Sequence, residues 1–223
     1  MARAELSRPG RLIAFEGGEG AGKSTQITLL AEHLRGRGLD PLVTREPGGT
    51  AGGRALRALL LDEAGTAWTA EAETLLMVAD RAQHVAETLL PALAAGRVVL
   101  TDRFVWSTLA YQGAGRGVDK ALIRSLHRGA CGDLWPDLTL LLDLDPAAGL
   151  ARSRRRLAAE ASGEGRFEAL DLAFHGRIRQ EFLDLAADPA HAVAVIDASL
   201  GVAAVQAAIQ AAVLAVIRPG TGA

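Results

Sequence analysis

The apolar residues of the chain fall into short unbroken runs that are separated by segments with helical periodicity. Apolar runs predict strands at residues 11–16, 41–44, 98–102, 138–144 and 192–196. The intervening periodicity predicts helices at residues 24–34, 54–61, 70–93, 119–128, 147–156, 169–187 and 202–217. Most strand runs are apolar throughout, which is typical of a parallel sheet with helices on both faces. The pattern therefore predicts an α/β fold.

The predicted elements form one domain without an internal repeat or an interdomain linker. A chain of 223 residues is long enough for a single α/β domain and short for two. We place this domain at residues 11–218, after a polar segment at residues 1–10 that we expect to be disordered or extended. Pro91 lies inside the predicted helix 70–93 and is expected to break or kink it.

Composition and charge indicate an ordinary globular protein rather than a nucleic-acid or membrane protein. The net charge is −2 and 22% of the residues are charged, without a long run of Lys or Arg. The N-terminus lacks the apolar stretch of a signal peptide, and no apolar run reaches the roughly 18 residues that span a bilayer. The single cysteine, Cys131, excludes an intrachain disulfide and is expected to be a small buried residue. We predict a cytoplasmic location.

A glycine-rich loop between the first strand and the first helix matches the pattern G-x-x-x-x-G-K-S. Glycines allow the backbone N–H groups to turn toward phosphate oxygens, and the helix N-terminus favours anions. Lys23 can reach the β- and γ-phosphates, and the Ser24 hydroxyl can bind Mg²⁺. The alternative is a glycine-rich turn with a solvated lysine. The predicted ATP-binding residues are Gly17, Gly18, Glu19, Gly20, Ala21, Gly22, Lys23, Ser24 and Thr25.

This loop indicates a nucleoside triphosphate but does not separate kinases from GTPases or motor ATPases. A GTPase is expected to carry an Asn-Lys-x-Asp motif after a late strand. The chain has Asp143-Leu144-Asp145-Pro146 there instead. Without this guanine-specific motif, the loop is more consistent with an ATP-dependent enzyme than with a GTPase.

Three further polar clusters follow predicted strands or lie on a predicted helix, where ligands of open α/β sheets bind. They read Arg-Glu-Pro-Gly-Gly-Thr at residues 45–50, Asp-Arg-Ala-Gln-His at residues 80–84, and Asp-Arg-x-x-x-Ser-x-x-Ala-Tyr-Gln-Gly at residues 102–113. Together with the phosphate loop, they resemble the thymidylate kinase family over residues 12–217, nearly the whole chain.

The resemblance implies a P-loop NTPase fold, with a five-stranded parallel sheet of strand order 2-3-1-4-5. It implies ATP- and Mg²⁺-dependent phosphorylation of dTMP to dTDP, a step in dTTP synthesis, by a homodimer. The substrates are small molecules, and the charge and hydropathy of the chain predict no nucleic-acid or membrane partner. Two alternatives remain open: another nucleoside monophosphate or deoxynucleoside kinase, and a regulatory module that binds ATP without phosphoryl transfer.

The resemblance assigns roles near the transferred phosphate. The Glu19 carboxylate would repel ATP phosphates, and in the family an acid at this position faces the 3′-hydroxyl of the acceptor sugar. Arg45 and Arg103 would hold the acceptor phosphate, because guanidinium groups match phosphate oxygens. Asp102 would act on Mg²⁺ with Ser24. Lys23, Asp102 and Arg103 are accordingly predicted to be catalytic.

The resemblance also assigns the base and sugar contacts. Arg81 would contact thymine, with Thr108 and Gln112 as further base contacts, and Tyr111 would close against the deoxyribose. The family usually has an aromatic residue where this chain has Met77, and a thioether offers less surface for stacking. For the three predicted substrate arginines, the alternative is a surface or structural ion pair.

A lid is predicted at about residues 152–166, where five arginines flank a Ser-Gly-Glu-Gly segment. The family carries its charge-stabilising arginine either in the phosphate loop or in this lid. Because the loop of this chain has no arginine, the resemblance implies a lid arginine, and Arg154 and Arg155 are the predicted candidates. A solvated basic helix face is the alternative.

Overall fold

The structure is a computed structural model that describes residues 9–62, 67–160 and 165–217. Most of the predicted N-terminal segment, and residues 161–164 of the predicted lid, lie outside the described residues. Within the described part of the chain, the helices are too short or too polar to cross a membrane.

The sheet has five parallel strands in the order β2-β3-β1-β4-β5, as predicted. Its strands are β1 (Arg11–Glu16), β2 (Leu42–Arg45), β3 (Val98–Asp102), β4 (Leu138–Asp143) and β5 (Val193–Asp197). Since β1 and β3 are neighbours, the phosphate loop after β1 and the polar segment after β3 leave the same edge of the sheet.

Helices cover both faces of the sheet. The helices are α1 (Lys23–Gly36), α2 (Ala51–Leu61), α3 (Ala70–His84), α4 (Leu90–Ala94), α5 (Val105–Thr108), α6 (Lys120–Cys131), α7 (Pro146–Glu160), α8 (Leu172–Ala186) and α9 (Val202–Ile217). Successive residues of β1 enter opposite cores: Leu12 packs in the core that includes Ile123 of α6, and Ile13 packs in the core that includes Leu30 of α1. This alternation explains why the strand is apolar throughout.

The predicted helix 70–93 continues past His84, but its hydrogen bonding changes before Pro91. Residues Val85–Leu89 form a π-helical turn, and the Leu90 N–H donates to the Val85 carbonyl. Proline has no N–H, and its ring would clash with a carbonyl four residues earlier. The wider turn accommodates the proline without ending the helix.

The segment after β3 is helical, which the sequence pattern did not predict. It consists of α5 and a π-helical stretch, Leu109–Gly115. Its glycines and short length hide any periodicity, and its N-terminus depends on a residue far away in sequence, as described below. Cys131 is buried at the end of α6, and burial raises the pKa of its thiol to about 11, which agrees with the predicted apolar role.

Candidate active site

The phosphate loop joins β1 to α1 through backbone conformations that favour glycine. Gly17, Gly20 and Gly22 have φ angles of 136°, 66° and 88°. A Cβ atom at Gly20 would lie 2.0 Å from the carbonyl oxygen of Gly149 in α7. One at Gly149 would lie 2.3 Å from the carbonyl oxygen of Glu19. The loop is therefore packed directly against the helix that begins the predicted lid.

The Lys23 ammonium lies within the curve of this loop. Its Nζ atom donates to the carbonyls of Gly17 and Gly18, each at 3.0 Å. Burial lowers the pKa of Lys23 below its usual value, and the nearby Arg103 guanidinium lowers it further. A phosphate chain bound in the loop would add negative charge beside this buried cation.

The first turn of α1 and the end of β3 bring together two oxygen ligands. Ser24 Oγ donates to Asp102 Oδ2 at 3.2 Å. The other carboxylate oxygen, Asp102 Oδ1, is buried and has no hydrogen-bond partner among the described residues. A hydroxyl, a carboxylate and an unpaired buried oxygen fit Mg²⁺, which prefers oxygen ligands. The structure thus places the two predicted metal ligands side by side.

Glu19 and Arg103 form an ion pair between the loop and the segment after β3. Arg103 Nη2 donates to Glu19 Oε1 at 2.9 Å, and the Tyr111 hydroxyl donates to the same oxygen at 2.5 Å. Burial alone would raise the pKa of Glu19, but the charges of Arg103 and Lys23 outweigh it and lower the pKa to about 2. Glu19 is therefore an anion at neutral pH and accepts hydrogen bonds only.

Arg103 is held in place by several groups at once. Its Nη1 atom donates to the Gly17 carbonyl and to Ser107 Oγ, both at 3.1 Å. The guanidinium lies over the Tyr111 ring, 4.9 Å from its centroid. The backbone φ angle of Arg103, 70°, is unusual for a residue other than glycine. These contacts fix the direction of the guanidinium before any ligand binds.

Glu16, the last residue of β1, holds the N-terminus of α5. Its carboxylate accepts from the backbone N–H groups of Phe104 and Ser107 at 2.9 and 3.2 Å, and from Ser107 Oγ at 2.6 Å. Because Ser107 also contacts Arg103, Glu16 supports that arginine through Ser107. Burial raises the pKa of Glu16 to about 7. No sequence signal indicated this role, because Glu16 reads as a strand residue.

A cavity that is open to solvent lies beside the Glu19–Arg103 pair, with about 820 Å³ of empty space when its open mouth is included. Its walls come from the three predicted clusters, from α3 and from the predicted lid. The predicted substrate residues that line it are Glu19, Met77, Arg81, Arg103, Thr108, Tyr111 and Gln112. The structure therefore brings together all the predicted substrate residues except Arg45.

Arg81 lines the cavity and forms a buried ion pair with Glu46. Its Nε donates to Glu46 Oε2 at 2.7 Å, and its Nη2 donates to Thr108 Oγ1 at 2.9 Å. The remaining Nη1 is buried, with no hydrogen-bond partner in the described part of the chain. Glu46 also contacts His84 Nδ1 at 2.8 Å. The Arg81 donor group is thus oriented by protein contacts and retains capacity for a ligand.

Glycines of the first cluster and of α2 allow these segments to pack against the second cluster. A Cβ atom at Gly49 would lie 2.4 Å from the His84 ring, and one at Gly53 would lie 2.4 Å from Asp80 Oδ1. Asp80 Oδ1 also accepts from the Gly48 N–H at 3.0 Å. Burial raises the pKa of Asp80 to about 6, and the nearby Glu46 contributes to the rise. These contacts hold the second cluster against the first cluster and the start of α2.

The structure does not bring Arg45 into the cavity. Arg45 is exposed at the end of the edge strand β2, and it does not line the cavity. Arg57 of α2 lines it instead, with Nη1 donating to the Pro47 carbonyl at 3.2 Å. The Arg57 side chain packs beside Gly48, where a Cβ atom would lie 3.1 Å from Arg57 Cδ. Nothing in the helical pattern of α2 distinguished Arg57 from Arg54.

The arginines of α7 in the predicted lid point in different directions, and the helix determines which of them reaches the cavity. Arg154 Nη2 donates to the Glu168 carbonyl at 2.9 Å, and Arg155 Nε donates to the Ala151 carbonyl at 3.2 Å. Among the arginines of α7, Arg156 lines the cavity, whereas the sequence prediction named Arg154 and Arg155. Residues 149, 153 and 156 lie on one helical face, and Gly149 contacts the phosphate loop, so this spacing could have identified Arg156.

A phosphate loop beside a cavity with polar and cationic walls, with an arginine between them, defines a P-loop phosphotransferase that acts on a small acceptor. The thymidylate kinase family model matches residues 15–209. The thymidylate kinase of Cereibacter sphaeroides is 58% identical over 194 residues, which are 87% of this chain and 89% of the relative. That of Desulfovibrio desulfuricans is 54% identical over 189 residues, 84% of this chain and 87% of the relative.

The crystal structure of a thymidylate kinase from Ehrlichia chaffeensis superposes on the chain with a TM-score of 0.72 at 30% identity. The match covers 92% of this chain and 98% of that one. The chain therefore belongs to the thymidylate kinase family. Membership confirms the predicted fold, the predicted enzyme class and the predicted reaction, the ATP-dependent phosphorylation of dTMP.

The raised pKa of Glu16 predicts that its contribution to the free energy of unfolding depends on pH. Its native pKa of about 7 lies above the ordinary value of 4.5, so the unfolded state loses this proton at lower pH than the native state. Stability from this group is present at low pH and is lost as pH rises toward 7. We expect the unfolding free energy of the wild type, minus that of Glu16→Gln, to fall by about 2 kcal/mol between pH 5 and pH 8. Urea unfolding measures this, and parallel pH curves would contradict it.

Proposed function

We propose that the chain transfers the γ-phosphoryl group of ATP to dTMP with ATP in the phosphate loop and dTMP in the cavity. The observation that carries this assignment is the Glu19–Arg103 pair, which lies in the loop and in the cavity wall at the same time. A phosphoryl group that moves between the two sites would pass this guanidinium. Arginine suits that position because its planar fork binds phosphate oxygens.

No covalent intermediate is needed, because alignment and charge neutralisation are sufficient for phosphoryl transfer. Lys23 would hold the β- and γ-phosphates, and Arg103 would hold the acceptor phosphate and the transferred group. Ser24 and Asp102 would hold Mg²⁺, which neutralises phosphate charge when it is bound. The position of Arg156 supports a third cation at the cavity, contributed by the lid helix.

The acceptor sugar and base would lie against the wall formed by α3 and the segment after β3. Burial raises the pKa of Tyr111 well above its usual value, so its phenol stays protonated and donates to Glu19. The other carboxylate oxygen of Glu19, which has no hydrogen-bond partner in the described part of the chain, can accept from a 3′-hydroxyl. Met77 is half-buried in the wall, where its thioether would pack against the base in place of an aromatic ring.

We also propose a homodimer that buries a face formed by α2, α3 and α6. Leu59, Leu75 and Leu122 expose 52%, 55% and 45% of their surface on these helices. The three helices are neighbours, since α3 contacts both α2 and α6. Exposed leucines on adjacent helices favour association. The cytoplasmic location and the lack of nucleic-acid or membrane partners stay predictions.

The acceptor is tested by comparing dTMP, dUMP, dCMP, dGMP and dAMP at saturating ATP and Mg²⁺. We expect dTMP to have the highest kcat/KM, because the chain belongs to the thymidylate kinase family. The Arg81 donor suits the 4-oxo group that dTMP and dUMP share and that dCMP and dAMP lack. A coupled assay of ADP release measures each rate, with a no-acceptor reaction as the control for ATP hydrolysis. A higher kcat/KM for any other acceptor would contradict the assignment and favour the alternative nucleotide kinase.

Arg57 and Arg45 provide a matched pair for the acceptor phosphate. Because Arg57 lines the cavity and Arg45 is exposed outside it, we expect Arg57→Ala to raise the KM for dTMP about tenfold or more. Arg45→Ala should change it by less than about threefold. Steady-state kinetics with varied dTMP measure both variants. A larger effect of Arg45→Ala would restore the assignment made from the sequence.

A further inference from the structure

A fully buried carboxylate in the first turn of α3 contacts one of the cavity residues. Glu73 is 0% exposed, and its Oε1 accepts from Gln112 Nε2 at 2.9 Å. Its Oε2 faces two guanidinium groups, those of Arg166 and Arg116, the latter at 3.4 Å. Arg166 also donates to the Leu60 carbonyl at 2.8 Å. Glu73 is therefore fixed from both sides.

This contact determines which end of the Gln112 amide faces the cavity. A carboxylate has only acceptors, so the amide nitrogen of Gln112 has to point toward Glu73. The carbonyl oxygen then lies on the opposite side of the amide, and Gln112 is part of the cavity wall. Among the described residues, the hydrogen bond of the Gln112 side chain is the one that its nitrogen donates to Glu73. Gln112 is consequently left with an acceptor for a ligand.

The neighbouring Arg81 presents the opposite polarity. Glu46 accepts from Nε and Thr108 accepts one of the two Nη2 hydrogens, whereas Nη1 has no hydrogen-bond partner among the described residues and belongs to a side chain of the same wall. A donor beside an acceptor matches the 4-oxo group and the N3–H of thymine or uracil. Cytosine has a 4-amino donor and an N3 acceptor and would meet the wrong group at both positions.

We propose that Glu73 is a positioning residue for base specificity, which orients the Gln112 amide so that its oxygen accepts from the N3–H of the acceptor base. The proposal rests on the proposed function, because it takes dTMP as the acceptor. Glu73 does not touch the substrate, and it acts only through Gln112. Arg166 extends this link to the segment that follows the lid, since Phe167 and Glu168 also line the cavity.

Glu73→Gln tests the orientation directly. In this variant the new side-chain carbonyl would accept from Arg166, so the new amide nitrogen would face Gln112 and donate to the Gln112 oxygen. The Gln112 amide would then turn its nitrogen toward the base. We expect the ratio of kcat/KM for dTMP to that for dCMP to fall about tenfold or more. The ratio of kcat/KM for dTMP to that for dUMP should stay within about threefold of the wild-type ratio, because these two bases share the N3–H.

The exchanged pair, Glu73→Gln with Gln112→Glu, provides a rescue with the same net charge. The amide nitrogen introduced at position 73 would donate to the carboxylate introduced at position 112, whose second oxygen faces the cavity as an acceptor. We expect this double variant to recover most of the preference for dTMP over dCMP. Gln112→Leu, which removes the acceptor and keeps Glu73, should lose the preference and serves if Glu73→Gln does not fold.

Glu181→Gln is the control for the loss of a buried carboxylate that forms an ion pair. Glu181 lies on α8, outside the cavity wall, and accepts from Lys120 Nζ at 2.6 Å. Its dTMP to dCMP ratio should equal that of the wild type. An unchanged ratio in folded Glu73→Gln or Gln112→Leu would overturn the proposal and indicate that Thr108 accepts from N3–H. A wild-type protein that does not prefer dTMP would instead contradict the proposed function.

Discussion

The guanidinium of Arg103 is the contact on which the arrangement of the site depends. It donates to the Glu19 carboxylate and the Gly17 carbonyl of the phosphate loop, and to Ser107 of the segment after β3. These two segments leave adjacent parallel strands, so the sheet brings their backbones together, and this side chain connects the polar groups of one segment to those of the other. The φ of 70° at Arg103 shows that the chain adopts an unfavourable backbone conformation there.

Support for this arginine comes through Ser107 from Glu16, a buried carboxylate that does not line the cavity. Glu16 accepts from two backbone N–H groups at the start of α5 and from the Ser107 hydroxyl, and Ser107 in turn accepts from Arg103. On another side of the cavity, the Glu46 carboxylate accepts from Arg81 and the Glu73 carboxylate accepts from Gln112. Each buried carboxylate thus fixes one cavity side chain, which reduces the ordering needed when substrate binds.

The sequence allowed the fold and much of the site to be predicted, because the relevant signals are local or belong to short motifs. Apolar runs identified the strands, and the pattern Gly-x-x-x-x-Gly-Lys-Ser identified the loop. Residues that act across the fold were missed. Glu16 reads as an ordinary strand residue, and its capping of α5 depends on the pairing of β1 with β3. Arg57 and Arg156 were not separated from neighbouring arginines, because helix packing decides which of them reaches the cavity.

The most direct test of the central claim is the rate of phosphoryl transfer by Arg103→Lys, measured in a single turnover beside its affinity for ATP. A lysine keeps the charge but cannot make the forked contacts to Glu19, Gly17 and Ser107 together. We expect the transfer rate to fall about 100-fold or more, while the Kd for ATP changes less than about threefold. A transfer rate near that of the wild type, or a loss that only parallels weaker ATP binding, would contradict the claim that Arg103 connects the two sites.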